Sequence, residues 1–174
     1  MLCRSLSWSL VVICCLTVVF AVLPGKAYSE EPPEALLAKG VAALQQAEKL
    51  VNDDPEAALA AAKEARLLFA DLQKMLAAEL PNKHLTEDQL EQEKLHLKLA
   101  EDLFKKGELF HKAAQDKLNR SKELRSQGEE AAAQNLEGVA QIEGRLALQN
   151  YVRSEIFGLK NQQLIFESLL QKTN

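Results

Sequence analysis

The sequence predicts an all-α protein: an elongated antiparallel helical bundle in which a short helical hairpin packs on a long, coiled-coil-like one. Three observations predict it. Apolar residues recur at helical spacing through almost all of the chain after residue 33, and no run of alternating β-branched residues appears beyond the first 29 positions. Glycine and proline are scarce while alanine and leucine abound. From Thr86 to Gln171 the apolar positions keep a seven-residue rhythm, which holds one side of a helix against a partner over many turns.

Residues 1–29 have the pattern of a secretory signal peptide: Arg4, an apolar run from Leu10 to Leu23, a Pro24-Gly25 break, and small residues at Ala27 and Ser29 that suit cleavage before Glu30. The stretch from Ser5 to Gly25 carries no charge and is close to the roughly 20 residues that cross a bilayer, so a retained single-pass anchor stays open. Either way the remainder is expected outside the cytoplasm, in the periplasm or cell envelope of a bacterium, with membrane contact only through an uncleaved N-terminal segment. Cys3, Cys14 and Cys15 all lie in the leader, so the exported part must hold together by packing without disulfides. The leader has Arg4 and Lys26 and no acid. Its removal leaves nineteen basic against twenty-five acidic side chains and takes the net charge from −4 to −6, which disfavours nucleic acid as a partner.

Glu30 to Pro33 reads as a short acidic linker, followed by one helical domain over 34–174. The first helix, about 34–51, places Leu37, Val41, Leu44, Ala47 and Val51 on one face. Asn52-Asp53-Asp54 ends it, and Pro55 with Asp54 as cap opens the second helix, about 55–80; so short a connection makes the two antiparallel neighbours. The second helix begins as an alanine surface (Ala58, Ala61, Ala62, Ala65) and ends bulkier (Leu68, Phe69, Leu72, Met75, Leu76). Through Ala47-Glu-Lys-Leu50, Asp54-Pro-Glu-Ala57 and Ala62-Lys-Glu-Ala65, residues 34–74 resemble the Ala-rich helical hairpins of certain bacterial envelope proteins of unknown function. This stretch is also similar to part of a tetratricopeptide repeat, but no second copy follows at a 34-residue period, and neither resemblance carries binding residues over.

The third helix, about 86–126, carries two rows at seven-residue spacing: Leu90, Leu97, Phe104, His111 and Leu118, beside Ala100, Gly107, Ala114, Ser121 and Gly128. Alternating large and small residues let two helices approach closely, so the expected packing seam is Leu90, Leu97, Ala100, Phe104, Gly107, Ala114 and Leu118. Leu95, Leu99, Leu103 and Phe110 widen that face. The fourth helix, about 128–171, answers with Val139, Ile142, Leu146, Val152, Ile156, Leu159, Phe166 and Leu170, of which Val139, Leu146 and Ile156 complete the seam; Gln149 and Gln163 in the same stripe would set register. Between the two helices, Ser126 and Glu129 have capping-box spacing and Gly128 suits a left-handed residue, which predicts a hairpin; one continuous helix is the alternative.

Chemistry is sparse. Glu93-Lys-Leu-His96 and Glu108-Leu-Phe-His111 have the Glu-x-x-His spacing of di-iron bundles. They lie about 22 Å apart along one helix, however, and cannot share a metal pair. His96 is expected to be wet. His111 is expected in the seam, where it is the candidate ligand for a metal or, with Met75, a b-type haem. There is no Gly-x-Ser-x-Gly elbow, phosphate-binding glycine loop or His-Glu-x-x-His motif. The leading expectation is therefore an exported non-enzymatic module with no cofactor, which binds a protein partner or itself through the part of the long hairpin that the short one does not cover. The alternative is a ligand-binding bundle built on His111.

Overall fold

The structure is a computed structural model describing residues 31–171, so the leader expected over residues 1–29 lies outside the described residues. Among the described residues four helices follow one another: α1 (Pro33–Leu50), α2 (Pro55–Met75), α3 (Glu87–Ser126) and α4 (Glu130–Leu170), with a 3-10 turn at Leu80–Asn82. The protein is an all-α bundle. Pro33 of the expected linker already belongs to α1, and Glu31 pairs with Lys39 at 2.5 Å.

Local sequence accounts for each boundary. The Asp54 carboxylate accepts from the Ala57 amide at 2.9 Å and Pro55 fills the first turn of α2, where its missing N–H leaves nothing unsatisfied. α2 stops at Met75, five residues before the expected end: Leu76 already leaves helical geometry, and the chain turns through bonds from Glu79 and Leu80 to the Leu76 carbonyl into the 3-10 turn that holds Pro81. Leu76 and Leu80 then close the end of the core. α3 starts with a full capping box between Thr86 and Gln89. The break between α3 and α4 falls where expected but for another reason. Gly128 takes φ +82°, its amide donates to Arg125, and the Glu129 amide donates to Leu124, which is a Schellman ending. No Ser126–Glu129 capping box forms; the Ser126 hydroxyl turns back to the Glu123 carbonyl.

α4 is the spine. α1 and α2 pack on it from one side and α3 from the other, and α3 shares no substantial interface with the short hairpin. This follows from two different stripes on one helix. Val152, Ile156, Leu159, Phe166 and Leu169 enter a core with Leu44, Ala47, Ala58, Ala62, Ala65, Phe69 and Leu72 of α1 and α2. At its centre the Phe69 ring meets Phe166 edge-on at 5.7 Å and lies against Gly40, where a Cβ would come within 2.3 Å of the ring. Toward α3, α4 presents Ala133, Ala140, Ala147, Ser154, Asn161 and Ser168, stepping by seven, all small or polar; all but half-buried Ser154 are buried.

On α3 it is the small row that faces inward. Gly107, Ala114 and Ser121 are buried and Ala100 is half-buried, whereas Leu90, Leu97 and Leu118 are exposed, and so is Val139 on α4. The expected seam is thus corrected: of its residues Gly107, Ala114 and Ile156 are buried, Ala100, Phe104 and Leu146 half-buried, and the leucines flank the contact. The reason is distance. Two backbones that meet through alanine and glycine come so close that the neighbouring large positions are pushed to the rim. The Ser154 hydroxyl donates to the Ala100 carbonyl at 2.6 Å, which fixes the register. Counting by sevens from that bond sets Gly107 level with Ala147, Ala114 with Ala140 and Ser121 with Ala133. Ile156 is buried on the opposite side, under the short hairpin.

A Cβ at Gly107 would stand 2.8 Å from the Tyr151 ring, whereas one at Gly144 meets nothing within 4 Å. Gly107→Ala should therefore lose about 1–2 kcal/mol of stability despite its better helix propensity, and Gly144→Ala should gain up to about 1 kcal/mol. Urea denaturation of both variants measures this; a Gly107→Ala protein as stable as the parent would refute the packing of the Tyr151 ring on Gly107.

Candidate interaction surface

The short hairpin ends part-way along α4. Its turn is held by three side chains on successive turns of that helix: Arg145 donates to the Asp53 carbonyl at 2.6 Å, Gln149 to the Asn52 carbonyl at 2.9 Å, and Arg153 to the Asn52 side chain. Gln149 thus fixes the docked turn, while Gln163 bonds Glu167 along α4. These bonds satisfy carbonyls that a four-residue turn leaves open. Beyond them, residues 130–144 of α4 and the opposing part of α3 continue as a two-helix arm, about 22 Å long at 1.5 Å per residue.

Ion pairs hold the arm in register. Lys117 reaches Glu143 at 2.7 Å across the two helices, and both are partly buried. At the tip Arg125 contacts Glu130 at 3.1 Å and Glu137 at 2.8 Å, while the Ser121 hydroxyl adds a bond to Glu137. The guanidinium's hydrogen bonds hold both carboxyls below their usual range. These pairs are exposed at the tip and modest in strength; their use is geometric, because they draw the acids of this part of α4 toward α3.

The arm also carries four large apolar side chains in water: Leu109 at 71% exposure, Ile142 at 63%, Val139 at 42% and Leu118 at 40%. Ile142 is the informative one. Asn135, Ile142, Gln149, Ile156 and Gln163 step by seven along one stripe; Ile156 lies buried under the short hairpin, Gln149 bonds its turn, and Ile142 comes after the hairpin has turned back. The surface that receives the short hairpin therefore continues, uncovered, onto the arm. The sequence signalled this only through a mismatch of lengths.

The two histidines exchange their expected places. His111 is exposed and its ring nitrogen bonds the Gln115 amide at 2.8 Å, so the seam position assigned to it is corrected. It sits in the large row, which the close approach of the small row moves outward. Met75 ends α2, a helix without a substantial interface to α3, so the two are not brought together as a haem pair. No cluster of three or more His, Cys, Asp or Glu suited to a metal ion occurs among the described residues. His96, expected to be wet, is half-buried with its ring 5.9 Å from Phe157 and its Nδ1 buried without a hydrogen-bond partner. Burial, and then the Lys160 ammonium that lies over Phe157, lower its pKa. Asn150 and Asn161 likewise bury an unpaired Oδ1 in α4.

Comparison of the chain with protein-family models, curated proteins and solved structures finds no match. Among the described residues no helix is long and apolar enough to cross a membrane.

The His96 environment gives a signed expectation. A histidine held neutral in the folded state costs nothing above the ordinary pKa of about 6.5, where the unfolded chain is neutral as well. As pH falls through that value the unfolded chain takes up the proton first, so stability declines. His96→Leu should remove this part of the acid sensitivity, which stability measured from pH 8 down to pH 5 in both proteins isolates from the carboxylates. Parallel pH profiles in the two would contradict the assignment.

Proposed function

We propose that this chain is an exported, non-enzymatic helical module of the cell envelope that acts by protein–protein association through the free arm of its long hairpin. The observation that carries the reading is the apolar stripe of α4, which is buried under the short hairpin at Ile156 and exposed on the arm at Ile142. Exposed apolar surface continuous with an existing interface marks where further protein binds. The leader pattern supports export, and the net negative charge of the remainder supports a protein partner over nucleic acid.

The division of labour within the fold supports the same reading. The short hairpin and the C-terminal half of α4 make the core, and the arm is held out from it by the small-residue contact and the ion pairs at its tip. Such an arm presents a rigid helical face at little entropic cost, since its backbone is already ordered.

A photo-reactive amino acid placed at Gln141 on the arm should yield covalent adducts in growing cells, whereas one at exposed Lys63 on α2 should not. Converting Leu109, Leu118, Val139 and Ile142 together to Gln should cut the adducts at position 141 by about tenfold or more while leaving the melting temperature within a few degrees, because exposed positions contribute little to folding. Equal adduct yields with and without the four substitutions would refute the arm as the binding surface.

A further inference from the structure

The contact of α3 with α4 changes character toward the start of α3. Counting by sevens from the Ser154–Ala100 bond in that direction sets Glu93 level with Asn161 and Thr86 with Ser168, where the rest of the α3 row has alanine, glycine and serine. Asn161 is buried with its Oδ1 unpaired, and Leu90, Leu95 and Leu97 of this part of α3 are exposed. The short hairpin adds little, because α3 shares no substantial interface with α1 or α2. Residues 87–99 are therefore held to α4 by a partly polar contact that buries little apolar surface.

His96 lies within this stretch. Its ring stands 5.9 Å from the Phe157 ring of α4, and its buried Nδ1 has no hydrogen-bond partner. The Lys160 ammonium lies 5.4 Å from the centre of the same Phe157 ring and pairs with Glu48 of α1. One ring thus neighbours a histidine from α3 and a cation anchored to the short hairpin. Other charged groups near this place are already engaged. Glu93, one turn before His96 on α3, takes Lys83 from the connection between α2 and α3 at 3.2 Å, so the carboxylate a turn away is neutralised. Arg153, one turn before Phe157 on α4, holds the Asn52 side chain and adds a further positive charge.

Neutral histidine fits these surroundings and the imidazolium does not. Protonation would bury an N–H donor without an acceptor and set a second cation at the ring that already carries Lys160. Both costs vanish if the imidazole moves into water. We infer that protonation of His96 releases residues 87–99 of α3 from α4, as far as the Ser154–Ala100 bond, with Lys160 held in place by Glu48 to supply the repulsion. Burial, and then Lys160, keep the pKa of packed His96 below its usual value. Below the ordinary pKa of about 6.5 the released form therefore takes up the proton first, and its share grows as pH falls. Release bares Phe157, Asn161 and Leu164 of α4; Leu164 is buried yet lies outside the core shared with the short hairpin. In acid the chain thus gains a second apolar surface, on the half of α4 away from the arm.

Amide exchange along α3, corrected for the intrinsic pH dependence of exchange, tests this on protein purified from cells expressing the full 174-residue chain. Between about pH 7.5 and about pH 5, amides of residues 90–99 should lose protection about tenfold or more, because a short helix released from its partner frays. Amides of residues 107–121 on the same helix should keep theirs. His96→Gln, which cannot titrate, should abolish the loss, and Lys160→Met, which removes the second cation, should reduce it at least about threefold. Both positions are half-buried at the margin of the contact, so both variants should melt within a few degrees of the parent at neutral pH, which separates an altered switch from an altered fold. A loss spread evenly along α3 would mean general acid unfolding and would overturn the inference. So would a loss that persists in His96→Gln, or one untouched by Lys160→Met.

Discussion

The close contact of α3 with α4 through small residues is the constraint on which the rest of the structure depends. Ala100, Gly107, Ala114 and Ser121 on one helix, against Ala133, Ala140, Ala147 and Ser154 on the other, let two helices of about 60 Å run side by side, with the rings of Tyr151 and Phe157 meeting Phe104 and His96 beside that small-residue row. Such a contact buries little apolar area per turn, so most hydrophobic stabilisation must come from elsewhere. It comes from the opposite stripe of α4, where Val152, Ile156, Leu159 and Phe166 pack with the short hairpin. One helix thus serves two interfaces of opposite kind. The large-residue interface stops at the turn held by Arg145, Gln149 and Arg153, and the small-residue interface continues past it. The arm follows from that difference in length.

Much of this was legible in the residues. The helix count, the Asp54-Pro55 start of α2, the Thr86 start of α3 and the break at Gly128 each have a local chemical cause that a sequence displays directly. The seven-residue rhythm of α3 was legible too. Which of its two rows faces the partner was not, because periodicity gives the angle between rows but says nothing of the partner's direction. Leucines drew the seam toward Leu90, Leu97 and Leu118, whereas the partner stripe on α4 is made of alanine, serine and asparagine, and Val152, Ile156, Leu159 and Phe166 of α4 look the other way. A rotation of the assumed contact by about 50° on the third helix exchanges the histidines, setting His111 in water and His96 against Phe157.

Polar groups inside the α3–α4 contact have a consequence for dynamics. Buried Asn150 and Asn161 each leave a carbonyl oxygen without a partner, as His96 leaves Nδ1. Unpaired buried groups cost about 1–3 kcal/mol each, and an interface that contains several is held less firmly than the core on the other side of the same helix. None of these three groups lies on the arm, where the tip pairs of Arg125 and the Lys117–Glu143 bridge hold the two helices with no short hairpin beside them. The arm has only the small-residue contact and these ion pairs to hold it, whereas the rest of α4 also packs into the short hairpin's core, which leaves the arm the more yielding part.

Amide hydrogen exchange along α4 tests the central claim that the arm is a surface left open by the fold. Amides from Val152 to Leu170, beneath the short hairpin, should be strongly protected, and those from Ala131 to Gly144 should exchange faster. Equal protection along the whole of α4 would contradict it.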